Sequence, residues 1–190
     1  MFTVSQEERQ SPLTSEALAR RLRRIPEYPR PGVTFIDITP ILRDGAAYRA
    51  AIDAMEREAA GLAFDLVVAP EARGFLFGAP LAVRLGVGFV PVRKAGKLPA
   101  DTVAAPYALE YGEDRVEMHA DAVGAGDRVL VVDDLLATGG TVGAAIDLVE
   151  ELGGEVAGAL FLVELEEIGG RTGRLRGYEV RSVVRTTEAG

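Results

Sequence analysis

Two adjacent carboxylates, Asp133 and Asp134, are followed closely by the small-residue loop Ala137-Thr138-Gly139-Gly140-Thr141. Backbone N–H groups converge where such a loop opens a helix, and with the positive end of the helix dipole they favour a dianionic phosphate. The glycines allow close approach of a ligand, and the threonines add hydroxyl donors. Carboxylates accept charge-assisted hydrogen bonds from a vicinal diol and tolerate a nearby Mg²⁺. The stretch therefore predicts a site for a phosphorylated sugar, whereas a turn that only packs would leave the two acids unexplained.

A strand and a helix must position this stretch. The apolar run that begins after Arg128 predicts a strand buried on both faces. After the loop the apolar spacing becomes helical, at Ala145, Leu148, Val149 and Leu152. The Gly-x-Gly-x-x-Gly pattern of a dinucleotide-binding loop is not met, because the loop reads Gly139-Gly140-Thr141-Val142-Gly143.

A second charged turn follows an earlier strand. Asp65 to Ala69 predicts a short buried strand, and Pro70-Glu71-Ala72-Arg73-Gly74 leads from it into a helix predicted over Phe75 to Leu85. Ligands of open α/β sheets bind at the carboxyl ends of strands. Arg73 beside a glycine therefore suits an oxyanion, and a structural ion pair with Glu71 is the alternative.

A basic loop follows the next predicted strand, Gly88 to Arg93. It reads Lys94-Ala95-Gly96-Lys97-Leu98-Pro99 and is not a Walker A loop, since the required glycine and the Ser or Thr after the lysine are missing. An ordinary exposed loop and a mobile lid over phosphates are both compatible with this composition.

Alternating apolar residues predict a hairpin over residues 105 to 118, with its turn at Gly112-Glu113-Asp114. Glu110 lies opposite the alternation, so exposure explains it unless the hairpin covers a site. His119, the only histidine, has no obvious nucleophile or second metal ligand nearby and is expected at the surface.

The N-terminal part carries one aromatic of interest. Phe35 lies in the β-prone segment Val33 to Pro40 and either packs in the core or offers a ring for base stacking. Before it, Thr14 or Ser15 is expected to cap a helix. That helix would carry three apolar residues on one face, at Leu18, Leu22 and Ile25.

Strands alternate with helices along the chain, which predicts an α/β fold with a parallel or mostly parallel sheet. Further elements are expected as a helix over Ala46 to Ala60 and strands over Val156 to Val163 and Tyr178 to Val184. A length of 190 residues fits one domain, with about 1–40 as an N-terminal helix and hood and about 41–185 as the core.

The net charge of −8 and the absence of cysteine limit the function classes. An acidic chain is not expected to bind nucleic acid or an anionic membrane surface, although a local amide nest still binds a small anion. Without cysteine there is no disulfide, thiol catalysis or thiolate metal site. No apolar run reaches the roughly 18 residues of a membrane helix, and we expect a cytoplasmic protein.

The segment Val131-Val132-Asp133-Asp134-Leu135-Leu136-Ala137-Thr138-Gly139-Gly140-Thr141 resembles the phosphoribosyl-pyrophosphate signature of type I phosphoribosyltransferases. Three further stretches resemble the adenine phosphoribosyltransferases among them. These are Pro31-Gly32-Val33-Thr34-Phe35-Ile36-Asp37-Ile38, Glu71-Ala72-Arg73-Gly74-Phe75-Leu76-Phe77-Gly78, and Arg93-Lys94-Ala95-Gly96-Lys97-Leu98-Pro99 with Leu109-Glu110-Tyr111-Gly112. The resemblance extends from roughly Ile25 to Val184.

The resemblance implies a central parallel sheet flanked by helices with a small N-terminal hood. It also implies transfer of the phosphoribosyl group from phosphoribosyl pyrophosphate to adenine, giving AMP and pyrophosphate. Mg²⁺ is expected mainly through the substrate, with no protein metal ligand assigned, and a homodimer is favoured.

The resemblance further implies roles for the site residues. Asp133 and Asp134 would hold the ribose hydroxyls, and Ala137 to Thr141 the 5′-phosphate. Arg73 would hold pyrophosphate, beside a cis peptide between Glu71 and Ala72. Lys94 and Lys97 would lie around pyrophosphate, Lys97 in its own or a partner's site. Phe35 would stack on adenine, and backbone groups near Thr34 and Ile36 would contact the edge of the base. Glu110 and Tyr111 would belong to the hairpin that closes over the site.

One position departs from the family pattern. Many members carry a basic residue where this chain has Ile36, which affects any side-chain contribution to base selectivity. The alternatives are a phosphoribosyltransferase for xanthine, guanine or hypoxanthine, or a regulator that senses a purine or phosphoribosyl pyrophosphate and binds nucleic acid. The chain has no obvious helix-turn-helix extension or basic face that would favour the regulator.

Overall fold

The computed structural model describes residues 13–108 and 113–187. The chain divides into two compact units, Met1–Ala54 and Met55–Gly190, and the division lies inside one helix. The first unit contains two short strands and two short helices before that helix begins. These elements are α1 (Ser15–Ala19), β1 (Arg23–Ile25), β2 (Phe35–Asp37), α2 (Thr39–Arg43) and the start of α3 (Gly45–Ala59).

The predicted N-terminal helix is confirmed at its start and wrong at its end. The N–H of Ala17 donates to the Thr14 side-chain oxygen at 3.2 Å, which is the expected cap. The helix ends at Ala19, and Ile25 lies in β1, where it pairs antiparallel with Phe35. Pro26 follows Ile25, and a residue before proline is biased toward extended backbone.

The second unit is built on a seven-stranded sheet with two covering helices. Its strand order is β5-β6-β4-β3-β7-β8-β9. The strands are β3 (Leu66–Pro70), β4 (Gly88–Lys94), β5 (Thr102–Ala108), β6 (Glu113–His119), β7 (Arg128–Leu136), β8 (Glu155–Leu165) and β9 (Val180–Thr186), and the helices are α4 (Arg73–Leu85) and α5 (Gly140–Glu151).

The predicted mostly parallel sheet is confirmed. From β4 to β9 all neighbouring pairs are parallel, and the β5–β6 hairpin joins the edge of β4 antiparallel. The predicted helix over Ala46 to Ala60 matches α3, whereas the one predicted from Phe75 begins earlier, at Arg73. Parallel strands that are apolar on both faces need cover on both sides, and α4 and α5 connect β3 to β4 and β7 to β8.

Small residues let the helices approach the sheet closely. A Cβ on Gly78 of α4 would lie 2.8 Å from the Cβ of Ala69 in β3. On α5 the residues Val142, Ala145, Ile146 and Val149 are fully or almost fully buried. This packing holds the carboxyl ends of β3, β4 and β7 along one edge of the sheet, where the predicted site residues lie.

Across residues 13–108 and 113–187, no helix combines the length and apolarity needed to span a membrane.

Candidate active site

Asp133 and Asp134 face opposite sides of β7, because side chains alternate along a strand. The strand continues through the acidic pair and remains paired with β8 as far as Leu136. Asp133 lines a cavity of about 170 Å³. Asp134 is 1 % exposed, and its Oδ2 lies 3.3 Å from Nε of Arg73. The two carboxylates therefore have different surroundings despite being adjacent in sequence.

Burial is the main influence on the pKa of both carboxyls of the pair. Burial raises the pKa of Asp133 well above its usual range, the charge of Asp134 adds to this shift, and Arg73 opposes it. Burial also raises the pKa of Asp134, with Arg73 again acting in the opposite direction. Within the described residues Oδ2 of Asp134 accepts no hydrogen bond, so its contact with Arg73 is a Coulomb interaction without hydrogen-bond alignment. Hydroxyl donors that enter the cavity would stabilise the ionised form of Asp133.

The small-residue loop opens α5 as predicted. Gly139 has φ +79°, a backbone conformation that L side chains rarely adopt, and α5 begins at the next residue. The residues that line the cavity of Asp133 include the whole loop from Ala137 to Thr141 together with Arg73 and Phe161. The structure thus brings together the amide-rich helix start, one carboxylate and one cation, an arrangement suited to a phosphorylated polyol.

The turn after β3 places Arg73 at this edge. The peptide between Glu71 and Ala72 is cis, as the family resemblance implied. Glu71 forms its ion pair with Arg93 of β4, whose Nε lies 2.7 Å from Oε2, while Arg73 contacts Asp134. Gly74 begins the packing of α4 on β7, since a Cβ there would lie 3.1 Å from Oδ1 of Asp133. Arg73 and Glu71 thus have different charged neighbours, and Arg73 also lines the cavity of Asp133.

The basic loop after β4 lies outside that cavity. Nζ of Lys94 lies 3.2 Å from Oδ2 of Asp114 on β6. Lys97 is exposed, and its carbonyl accepts a hydrogen bond from Arg93 at 3.2 Å. The N–H of Gly96 donates to the Glu117 carboxylate at 2.9 Å. The structure therefore places both lysines beside the β4–β6 strand pair and brings neither to the loop of α5.

Asp114 also receives a hydrogen bond from the strand opposite. The hydroxyl of Tyr107 donates to Oδ2 of Asp114 at 2.9 Å, at the rung where these two residues pair across the hairpin. Burial raises the pKa of Tyr107 to about 12, and the charge of Asp114 adds to the rise. Asp114 lies on the same face of β6 as the buried Val116. The Tyr107 hydroxyl and the Lys94 ammonium therefore stabilise a carboxylate charge next to apolar side chains. The predicted hairpin is confirmed, but its turn does not lie at Gly112-Glu113-Asp114, because Glu113 and Asp114 belong to β6 and pair with Ala108 and Tyr107. Glu110 and Tyr111 lie outside the described residues.

The predicted base-binding residues belong to the first unit. Phe35 is half-buried and contacts Tyr28 edge-on, with ring centroids 5.5 Å apart. Thr34 is also half-buried. Ile36 is 2 % exposed, on the other side of β2 from Phe35, so its side chain is part of the core and only its backbone is accessible along the strand.

His119 is not the surface residue that the sequence suggested. It ends β6 opposite Thr102, is half-buried, and its Nε2 is buried without a hydrogen-bond partner among the described residues.

Sequence reasoning missed the residues that support the loop from behind. A Cβ on Gly170 would lie 2.3 Å from the carbonyl oxygen of Ala137, and one on Gly139 would lie 3.2 Å from Cγ of Leu175. Phe161 on β8 lines the cavity beside Asp133, its partner across the ladder. The pair Gly169-Gly170 in the sequence was a signal of close backbone approach, but it did not reveal which segment would be approached.

The comparisons with known proteins agree with this geometry. The phosphoribosyl transferase domain family matches residues 37–186. A protein of Desulfitobacterium hafniense named adenine phosphoribosyltransferase is 56 % identical over 164 residues, which cover 86 % of this chain and 94 % of the relative. The chain belongs to the adenine phosphoribosyltransferase family.

Two solved adenine phosphoribosyltransferases have the same fold. The enzyme of Thermoanaerobacter pseudethanolicus has 54 % sequence identity to this chain, and its crystal structure superposes with a TM-score of 0.88. The match covers 91 % of this chain and 100 % of the chain in that structure. The Saccharomyces cerevisiae enzyme, solved with D-2,5-dideoxy-2,5-imino-altritol 1,6-bisphosphate and adenine, is 41 % identical, covers 89 % of this chain and 97 % of its own, and has a TM-score of 0.83. The expected type I phosphoribosyltransferase fold is confirmed.

Proposed function

We propose that this chain is a purine-salvage enzyme that transfers the 5-phosphoribosyl group from phosphoribosyl pyrophosphate to adenine, with AMP and pyrophosphate as products. The observation that carries the proposal is the cavity in which Asp133, Arg73 and the amide loop of α5 meet. Relatives named for this activity match nearly the whole chain, and the yeast enzyme was solved with adenine and a bisphosphate.

The two sides of the cavity suggest how the sugar phosphate lies. The N–H groups at the start of α5 suit the 5′-phosphate, and we assign them to it. Asp133 presents its carboxylate to the same cavity and accepts hydrogen bonds from the ribose hydroxyls. Asp134, expected to share that role, faces the other side of β7, and we propose that it orients Arg73. For Asp134 to reach the ribose, its contact with Arg73 would have to break.

The chemistry needs stabilisation of charge more than a nucleophile. Transfer at the anomeric carbon develops positive charge on the ribose ring and negative charge on the departing pyrophosphate. Arg73 stabilises the leaving group and Asp133 stabilises the ring. Lys94 and Lys97 stay predictions as pyrophosphate contacts, since neither lines this cavity. Glu71 and Ala72 form the turn that sets the direction of Arg73. Residues Glu110 and Tyr111 stay predictions for the hairpin that excludes water.

A divalent cation fits this donor set. Asp133 offers the hard oxygen ligand that Mg²⁺ prefers, beside the positions assigned to the ribose and pyrophosphate oxygens. When bound, the ion would neutralise charge on the leaving group. A homodimer, a cytoplasmic location and the absence of a nucleic-acid or membrane partner stay predictions.

The base is proposed to lie against Phe35, with backbone groups near Thr34 and Ile36 at its edge. The buried side chain of Ile36 supports recognition by the backbone alone. Initial rates of pyrophosphate release, measured with adenine, hypoxanthine, guanine and xanthine in turn, test the substrate. We expect release with adenine at a kcat/KM at least 10²-fold above that of each other base, because another base would leave hydrogen-bonding groups of the site unpaired. A higher kcat/KM with another base, or no release with any, would refute the proposal.

A further inference from the structure

The connection between β8 and β9 packs against the back of the phosphate loop. We call residues 166–178 the bracing segment. A Cβ on Gly170 would lie 2.3 Å from the Ala137 carbonyl oxygen and 3.0 Å from the carbonyl carbon of Thr138, so the two backbones touch directly. Leu175 is fully buried, and a Cβ on Gly139 would lie 3.2 Å from it. The loop that opens α5 therefore has a rigid surface behind it.

The same segment also holds the first turns of α5. The side chain of Arg174 lies across Gly143, where a Cβ would meet its guanidinium, and it forms an ion pair with Asp147. The hydroxyl of Tyr178 donates to Glu150 at 2.9 Å. The bracing segment thus contacts the loop and the helix that it opens, so a shift of the segment would move the N–H groups that face the cavity.

One buried carboxylate anchors the bracing segment to the sheet. Glu164 on β8 is 3 % exposed and receives both arms of the Arg171 guanidinium, with Nε to Oε1 at 2.7 Å and Nη2 to Oε2 at 2.5 Å. The third nitrogen of Arg171 donates to the Val180 carbonyl at 2.5 Å, and the hydroxyl of Ser182 donates to Glu164 at 2.7 Å. A bidentate pair of this kind fixes direction as well as distance. Arg171 is the residue next to Gly170, so this pair sets the position of the contact with Ala137.

We propose that Arg171, held by Glu164, is a positioning residue for the 5′-phosphate of the sugar substrate. It does not touch the ligand but fixes the bracing segment, which in turn fixes the amide loop from Ala137 to Thr141. The inference rests on the proposed function only in that the loop binds a sugar 5′-phosphate. It extends that function by assigning part of the phosphate affinity to an ion pair on the far side of the loop.

Loss of the Arg171–Glu164 pair should affect binding of the phosphate part of the substrate only. Loss of the bidentate pair should weaken ribose 5-phosphate and AMP binding about tenfold, which corresponds to about 1.4 kcal/mol. Adenine alone carries no phosphate, so its affinity should stay unchanged. In steady state the KM for phosphoribosyl pyrophosphate should rise about tenfold with kcat within about twofold, because phosphate binding is shared by ground and transition states.

The test compares Arg171→Lys and Arg171→Gln with Arg181→Gln by titration calorimetry of ribose 5-phosphate, AMP and adenine. Arg181 lies on β9 and contacts Glu179 and the carbonyls of Glu58 and Ala60, all outside the bracing segment, so its removal should leave ribose 5-phosphate affinity unchanged. Arg171→Lys keeps the charge without the fork and should fall between wild type and Arg171→Gln. Wild-type affinity for ribose 5-phosphate in Arg171→Gln, or an equal loss of adenine affinity, would overturn the proposal.

A second variant protects the test against loss of folding, since breaking a buried ion pair is strongly destabilising. Gly170→Ala keeps the pair but pushes on Ala137, and Gly124→Ala is its control because a Cβ at Gly124 meets only the Asp127 side chain, at 3.6 Å. We expect weaker ribose 5-phosphate binding in Gly170→Ala alone, and equal affinity in the two variants would contradict the inference. Ribose 5-phosphate binding without adenine-dependent pyrophosphate release in wild type would refute the proposed function but leave the bracing role supported.

Discussion

Replacing Asp133 with asparagine should make the protein more stable and less active. Burial and the neighbouring charge of Asp134 raise the pKa of the Asp133 carboxyl well above its usual range, so its ionised form destabilises the folded state. Removing that charge should raise Tm by about 2–4 °C, the change that about 1 kcal/mol gives in a chain of 190 residues.

The pH dependence of stability follows from the direction of the Asp133 pKa shift. The unfolded carboxyl titrates near 3.8, and the pKa of Asp133 in the folded protein lies well above that value. Between the two pKa values the folded state keeps the proton that the unfolded state has lost, so wild-type stability falls as pH rises through this window. The Tm advantage of Asp133→Asn should therefore be greatest near neutral pH and shrink on acidification.

Thermal unfolding of both proteins from pH 5 to pH 8, with kcat/KM measured in parallel, tests the reasoning. The activity of Asp133→Asn should fall by about 10²-fold or more, the usual loss for one strong charge contact. Asp121→Asn, which neutralises an exposed acid after β6, is the matched control and should change neither quantity. The charge argument is refuted if Asp133→Asn melts at or below the wild-type temperature at neutral pH, or if its advantage grows on acidification.

Four further changes test other parts of the site. Arg73→Ala and Asp134→Asn should each lower kcat/KM by about 10²-fold or more, and steady-state rates within a few-fold of wild type would remove their assigned roles. Asp114→Asn should lower the pKa of Tyr107 from about 12 toward 10, because the tyrosine loses a neighbouring negative charge and a hydrogen-bond acceptor. Ultraviolet titration, with Tyr107→Phe to identify the Tyr107 signal, measures this pKa. An unchanged pKa would exclude the contact between Tyr107 and Asp114. Gly139→Ala should cost about 1–3 kcal/mol in denaturant unfolding, because its φ is +79°, and wild-type stability would contradict the backbone conformation.

The sequence allowed the sheet and the phosphate loop to be predicted because both depend on neighbours along the chain. The apolar run before Asp133 and the helical spacing after Thr141 are local patterns, and the structure confirms β7 and α5. The family resemblance supplied the cis peptide at Glu71–Ala72, which no spacing would reveal.

The remaining features depend on contacts between distant segments. The strand continues through Asp134 because β8 continues to pair with it, and this pairing separates two acids that the sequence places together. Lys94 looked like a ligand for phosphate, but its partner Asp114 lies in another strand. Gly170 could be identified as special by its type, yet only the packing of the β8–β9 connection shows that it supports Ala137.

The loop of α5 attracts phosphate with backbone dipoles, whereas the chain as a whole carries a net charge of −8. Dipole fields act over the first turn of a helix, but net charge acts over a Debye length of about 10 Å at 0.1 M salt. A polyanionic substrate is therefore repelled during its diffusional approach and captured only at contact. Moderate salt should speed its association by screening that repulsion, the reverse of the usual effect when opposite charges steer a substrate into an enzyme.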